Sequence, residues 1–171
     1  CPACVYEEST CVPDTVDALF IRVAFSYLPG APISQADLQS ARTSVGSHLH
    51  NYAYGAASLV PTVTSQVYRM PNSGTIYATS QTGAVDLISA ARAAAAANYT
   101  LENYDVVAVY FPSLMGVPGS YFSWAGLASV GGSNHWINGV NTSNRVPVIL
   151  HDFGHNFGLF PPHYWYPSPG N

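Results

Sequence analysis

Lysine is absent from this sequence of 171 residues, and five arginines are its only permanent side-chain cations. Charged residues make up 8% of the chain, against about 25% in a typical soluble domain. With a formal net charge of −4 and no basic run, nothing favours nucleic acid as a partner. No apolar stretch reaches the roughly 18 residues that a membrane-spanning helix needs; Ala90–Ala97 is too short and follows Asp86. Ser120, Ser123 and Ser133 lie in no Gly-x-Ser-x-Gly elbow, which argues against a serine hydrolase. Glutamate is scarce: Glu7, Glu8 and Glu102 all lie far from the histidines near the end of the chain. Both methionines, Met70 and Met115, lie upstream of those histidines. There are no internal repeats and no linker, so the length suits one domain with a sizeable core.

Cysteine is confined to Cys1, Cys4 and Cys11. That crowding reads as a disulfide-stapled arm, residues 1–16, in an oxidising compartment. Cys1-Pro-Ala-Cys4 also fits a zinc or redox pair, although a redox pair requires a βαβ context that the arm lacks. An odd count leaves one thiol for another chain or for a segment outside this sequence. Asn98-Tyr99-Thr100 and Asn141-Thr142-Ser143 match the N-glycosylation acceptor pattern. These features lead to the expectation of a secreted, extracellular protein whose signal peptide has been removed.

The hydrophobic pattern predicts an α/β domain over 17–171. In Asp17–Leu28, Leu19, Ile21, Val23 and Phe25 alternate with Phe20, Arg22, Ala24 and Ser26, which predicts a strand. Ser34 is a good N-cap for a helix to about Tyr52, with Leu38, Val45 and Leu49 on one face and Gly55 as its stop. Ser58–Met70 predicts a second strand, placed at an edge by Pro61. Pro71–Gly74 is a turn, and Gly83–Asn98 a strong helix. Tyr104–Phe111 is a near-continuous apolar run, as expected for a strand buried on both faces. Residues 112–139 read as irregular with one or two short strands, and Arg145–Phe160 as the last helix. This order describes a three-layer unit with a mixed, twisted sheet of about four or five strands.

His151-Asp152-Phe153-Gly154-His155 is the informative stretch. Histidines four apart on a helix share a face, and both imidazoles can then reach one zinc ion at about 2.0–2.1 Å. An isolated pair of this kind is usually incidental. Two neighbours raise its weight: the carboxylate at Asp152, and Gly158, placed to end the helix and turn the chain back. His135, beside Trp136, reads as a loop or substrate-cleft residue. His48 and His50 read as surface residues near a helix end. The tyrosines and Trp124, Trp136 and Trp165 read as core and rim, with a sugar- or protein-binding surface as the alternative.

His151–Gly158 (HDFGHNFG) resembles the metzincin signature HExxHxxGxxH. Ser123–Gly139 (SWAGLASVGGSNHWING) together with His151–Trp165 (HDFGHNFGLFPPHYW) is similar to the gametolysin-like peptidases and their bacterial relatives. The resemblance covers about Tyr104–Trp165. It implies a secreted zinc endopeptidase acting on extracellular, cell-wall or matrix proteins. His151 and His155 would be zinc ligands, and Asp152 would take the place of the glutamate general base. A carboxylate one methylene shorter stands back by about 1.5 Å, enough to matter for rate. The third-ligand position falls on Pro161, which has no donor atom, so His163 is expected to substitute, with Tyr164 as a lesser alternative. The resemblance also implies a downstream Met-containing turn and C-terminal subdomain, which residues 17–171 lack. A second expectation is a catalytically inactive relative, serving as a structural subunit or binding module that self-associates or links subunits through an interchain disulfide.

Overall fold

A computed structural model of the chain describes residues 15–27 and 33–160. Cys1, Cys4, Cys11, Pro161, His163 and Tyr164 lie outside the described residues. The elements, in order, are β1 (Thr15–Ala24), α1 (Gln35–Tyr52), β2 (Ser58–Arg69), α2 (Gly74–Ala78), α3 (Gly83–Ala95), β3 (Val106–Phe111), β4 (Gly126–Ala128), β5 (Asn134–Asn138) and α4 (Thr142–Asn156). The sheet order is β2-β1-β3-β5-β4. Four strands run parallel and β4 runs antiparallel to β5 at the far edge. This is the expected mixed α/β architecture, with β2 at an edge as Pro61 requires.

The alternation in β1 and β3 builds two cores. Leu19, Ile21, Val23, Val107, Val109 and Phe111 face α3 through Leu87, Ile88 and Ala91. Val16, Ala18, Phe20, Val106, Ala108 and Tyr110 face α1 and α4 through Leu38, Val45, Ile149 and Phe153. The chain steps from β1 outward to β2, then back past β1 to β3. Right-handed crossovers therefore put α1 and α3 on opposite faces, which gives three layers. All six residues of β3 are buried, as its apolar run predicts. Among the described residues no helix is long and apolar enough to cross a membrane.

Three local details differ from the sequence pattern. Gly74 opens the short helix α2, capped by Ser73, where only a turn was expected. α4 starts earlier than Arg145 because the Asn141 side chain accepts a hydrogen bond from the Asn144 amide, 3.1 Å away, an N-cap that satisfies one orphan donor. It also ends earlier, because Gly158 adopts φ 90°. There the Leu159 amide donates to the Gly154 carbonyl at 2.9 Å and the Gly158 amide to that of His155 at 2.8 Å. That is a Schellman motif, whose left-handed residue a side chain would strain.

Candidate metal centre

The roll of α4 is set by Ile149 and Phe153, both fully buried against the sheet. Burying each contributes about 1.5–3 kcal/mol, so the helix has little freedom to rotate. Asp152 and Asn156 then point inward toward β4 and β5, and His151 and His155 point into the cleft beside them. The two imidazoles lie at 89° to each other with their Nε2 atoms 3.1 Å apart. Two nitrogens bound to one tetrahedral zinc at about 2.0–2.1 Å stand about 3.3 Å from each other, so the pair is spaced for a shared ion. The Nδ1 of His155 lies 2.7 Å from the carbonyl of Leu159. A carbonyl can only accept, so Nδ1 carries the proton and Nε2 presents its lone pair to the cleft, as a metal-binding imidazole requires. Leu159 reaches that place because Gly158 turns the chain back.

Asp152 completes the group. One ligand atom from each of His151, Asp152 and His155 lies within 4.8 Å of the others, and the three could hold a metal ion. The Asp152 side chain is only 5% exposed. Gly126 of β4 makes room for it: a Cβ built there would overlap Oδ2 of Asp152 and sit 2.6 Å from Cγ1 of Val148. Burial pushes the Asp152 carboxyl up to about 7, against the opposing charge of His155.

His135 corrects the sequence reading. It is no loop residue: it lies in β5, fully buried beneath α4. Its ring stands edge-on to Phe153, with centroids 5.2 Å apart. Its Nε2 is 3.5 Å from Oδ2 of Asp152. Burial drives its pKa down to about 3, with Asn156 pulling weakly the other way. Asn156 sits beside it, its Nδ2 donating to the carbonyls of Gly132 and Asn134 at 2.7 and 3.0 Å and so tying the turn before β5 to α4. Both His135 nitrogens, Oδ2 of Asp152 and Oδ1 of Asn156 are buried without a full hydrogen bond.

Gly126, Leu127, Ala128 and Val130 form one wall of a cleft of about 290 Å³, and His151, Asp152 and His155 form the other. His48 lies on a second groove, between α1 and α4, that also touches His151. His50 is exposed near the end of α1, as expected. Trp136 belongs to the core, its Nε1 donating to the Ala84 carbonyl at 2.7 Å. Asn98 and Asn141 are exposed. Sequence reasoning missed Gly126, His135, Asn156 and the Leu159 carbonyl as parts of one site. The only sequence signal for them is their presence inside the stretches that carry the metzincin resemblance.

Among known proteins, no family model matches the chain, and no curated protein matches it. Among solved structures it is similar to archaemetzincin from Methanopyrus kandleri, at 19% identity over 85% of this chain and 75% of that one, with a TM-score of 0.47. At that level of likeness the metal-centre reading stands on the geometry of α4.

Proposed function

We propose that this domain is a zinc-dependent endopeptidase of the metzincin type, gametolysin-like in its specificity for extracellular proteins. The observation that carries the reading is the 3.1 Å separation of the His151 and His155 Nε2 atoms at the foot of a cleft that also holds a carboxylate. The donor set fits zinc: imidazole nitrogens on one helical face, one with its tautomer set by a backbone carbonyl. Zinc bound there supplies polarisation of a peptide carbonyl and a water that ionises near pH 7. His151 and His155 hold the ion, and His163 is proposed as the third ligand. Asp152 accepts the proton of the attacking water. A carboxyl titrating near neutral pH suits a general base, and a cation at the histidine pair favours its charged form. β4 is the last strand of the sheet, so an extended substrate can add to its outer edge by backbone hydrogen bonds. Export, disulfides within the arm of Cys1, Cys4 and Cys11, and glycans on Asn98 and Asn141 belong to the same proposal.

The test is zinc content together with cleavage of unfolded protein substrates, with and without a chelator. About one zinc per chain and chelator-sensitive cleavage are expected. No bound metal and no such cleavage would overturn the reading. One observation favours a second reading, an inactive relative that serves as a subunit of an extracellular assembly: Asp152 is nearly buried and lies against Gly126, which shortens the reach of an already short carboxylate. Sedimentation of the native material separates the two, since a plain monomer without an interchain disulfide removes the assembly.

A further inference from the structure

We propose that His135 is the positioning residue of Asp152, holding the short carboxylate from behind so that its free oxygen faces the histidine pair. The role rests on Asp152 acting as the base proposed above.

Buried polar groups almost always find a hydrogen-bond partner, and each one left without costs about 1–3 kcal/mol. Here Nε2 of His135 and Oδ2 of Asp152 are both buried and both lack a full hydrogen bond. They stand 3.5 Å apart; Asn156, whose Oδ1 also lacks a full hydrogen bond, is the other polar side chain beside the His135 ring. The contact of His135 with Asp152 is longer than a full hydrogen bond, but catalytic contacts of this kind tighten in the loaded site.

The surroundings leave the carboxyl one seat. Gly126 admits Oδ2 only because it has no Cβ, and Val148 closes the same side. Phe153 packs edge-on against the His135 ring, which keeps the imidazole from swinging away. β5, which carries His135, pairs with β3 on one side and β4 on the other, so the ring stands on rigid backbone. A longer side chain could reach the cleft from its helix unaided. Asp152 is one methylene shorter than the usual glutamate, and it needs a partner on the sheet to fix where it ends.

Two measurements test this. The first needs neither metal nor activity. In ¹⁵N-labelled, metal-free protein, Asp152→Leu should shift the Nε2 resonance of His135, whereas His151→Ala should leave it in place. A His135 resonance that ignores Asp152→Leu overturns the proposal, whatever the protein cleaves. The second is kinetic, on zinc-loaded protein. His135→Leu should lower kcat about 100-fold, the scale of an ångström of misplacement, with KM and zinc content unchanged. His135→Gln, whose amide can donate from near the place of Nε2, should stay within a few-fold of wild type. A Leu variant with full kcat, or a Gln variant as weak as the Leu variant, overturns it. If His135→Leu fails to fold, Gly126→Ala displaces the same carboxyl from the opposite wall and should give the same loss of kcat at constant zinc content; full kcat in that variant overturns it. If the wild type cleaves nothing, the peptidase reading falls by itself and the resonance of His135 still decides whether the contact exists.

Discussion

Trp136 and His135 are neighbours on β5, yet they face opposite sides of the sheet and meet opposite conditions. Trp136 enters the core under α3, and its one polar atom donates to the Ala84 carbonyl at 2.7 Å. His135 enters the layer under α4 with both ring nitrogens short of a full hydrogen bond. One face of the sheet is built for stability, apolar and alternating, with a single orphaned hydroxyl on Tyr77. The other keeps a buried polar group of His135, Asp152 and Asn156 that folding alone does not call for. Local rules are broken where function gains from it, and here the break lies directly behind the histidine pair of α4.

Several changes would break or sharpen that contrast. The largest effect is expected at the cleft. His151→Ala or His155→Ala should reduce zinc occupancy from about one ion per chain to near zero, read by elemental analysis, with little change in the melting temperature of the metal-free protein. On the α3 face, Trp136→Ala should lower stability by about 3–5 kcal/mol in denaturant titration without changing zinc affinity. If it weakened zinc binding, the two faces would not be separable. The double variant His135→Leu with Asp152→Leu should be neutral or stabilising by up to about 2 kcal/mol, because a buried, poorly paired polar couple gives way to apolar contact. It should also abolish cleavage.

Smaller effects follow from the scaffold of the site and from its titration. Gly158→Ala should strain the left-handed turn by about 1–2 kcal/mol, loosen the Leu159 carbonyl from His155, and weaken zinc binding about tenfold. The smallest signal is the pH dependence of the metal-free wild type. Burial raises Asp152 from 3.8 to about 7, so its contribution to stability is lost as pH rises through that window. Burial lowers His135 from 6.5 to about 3, so its contribution is lost as pH falls through that range. Between about pH 4 and 6.5 the two oppose each other, and the melting temperature should be nearly flat. His135→Leu should unmask a fall with rising pH, and Asp152→Leu a fall with dropping pH. A wild-type slope as steep as either single variant would break the pairing.

Much of the fold was legible because its signals are local or strictly periodic. The period of two in β1, the unbroken apolar run of β3, the Ser34 cap and the Ala-rich α3 each follow from short-range sterics and hydrogen bonding. Boundaries were less legible. The start of α4 turns on whether the Asn141 side chain finds the Asn144 amide, and the helix α2 is too short to show a period. The segment between β3 and β5 gave only composition, yet one side chain ties two points of it together. Asn138, fully buried in β5, accepts from the Leu114 amide at 2.8 Å and donates to the Trp124 carbonyl at 2.8 Å, which sets the chain just before β4. Of the candidate site, the facing of His151 and His155 could be read in advance, and the depth of Asp152 could not.

By itself the sequence determined that two imidazoles share a helical face, that a carboxylate follows the first, and that glycine ends the helix one turn after the second. Those are consequences of 3.6 residues per turn and of glycine's freedom at positive φ. Only the tertiary structure decided that Asp152 turns inward, that Gly126 leaves it room and that His135 stands behind it. The reason is that these three residues come from β4, β5 and α4. Nothing in their spacing brings them together until the edge of the sheet pairs and Ile149 and Phe153 bury the helix across it.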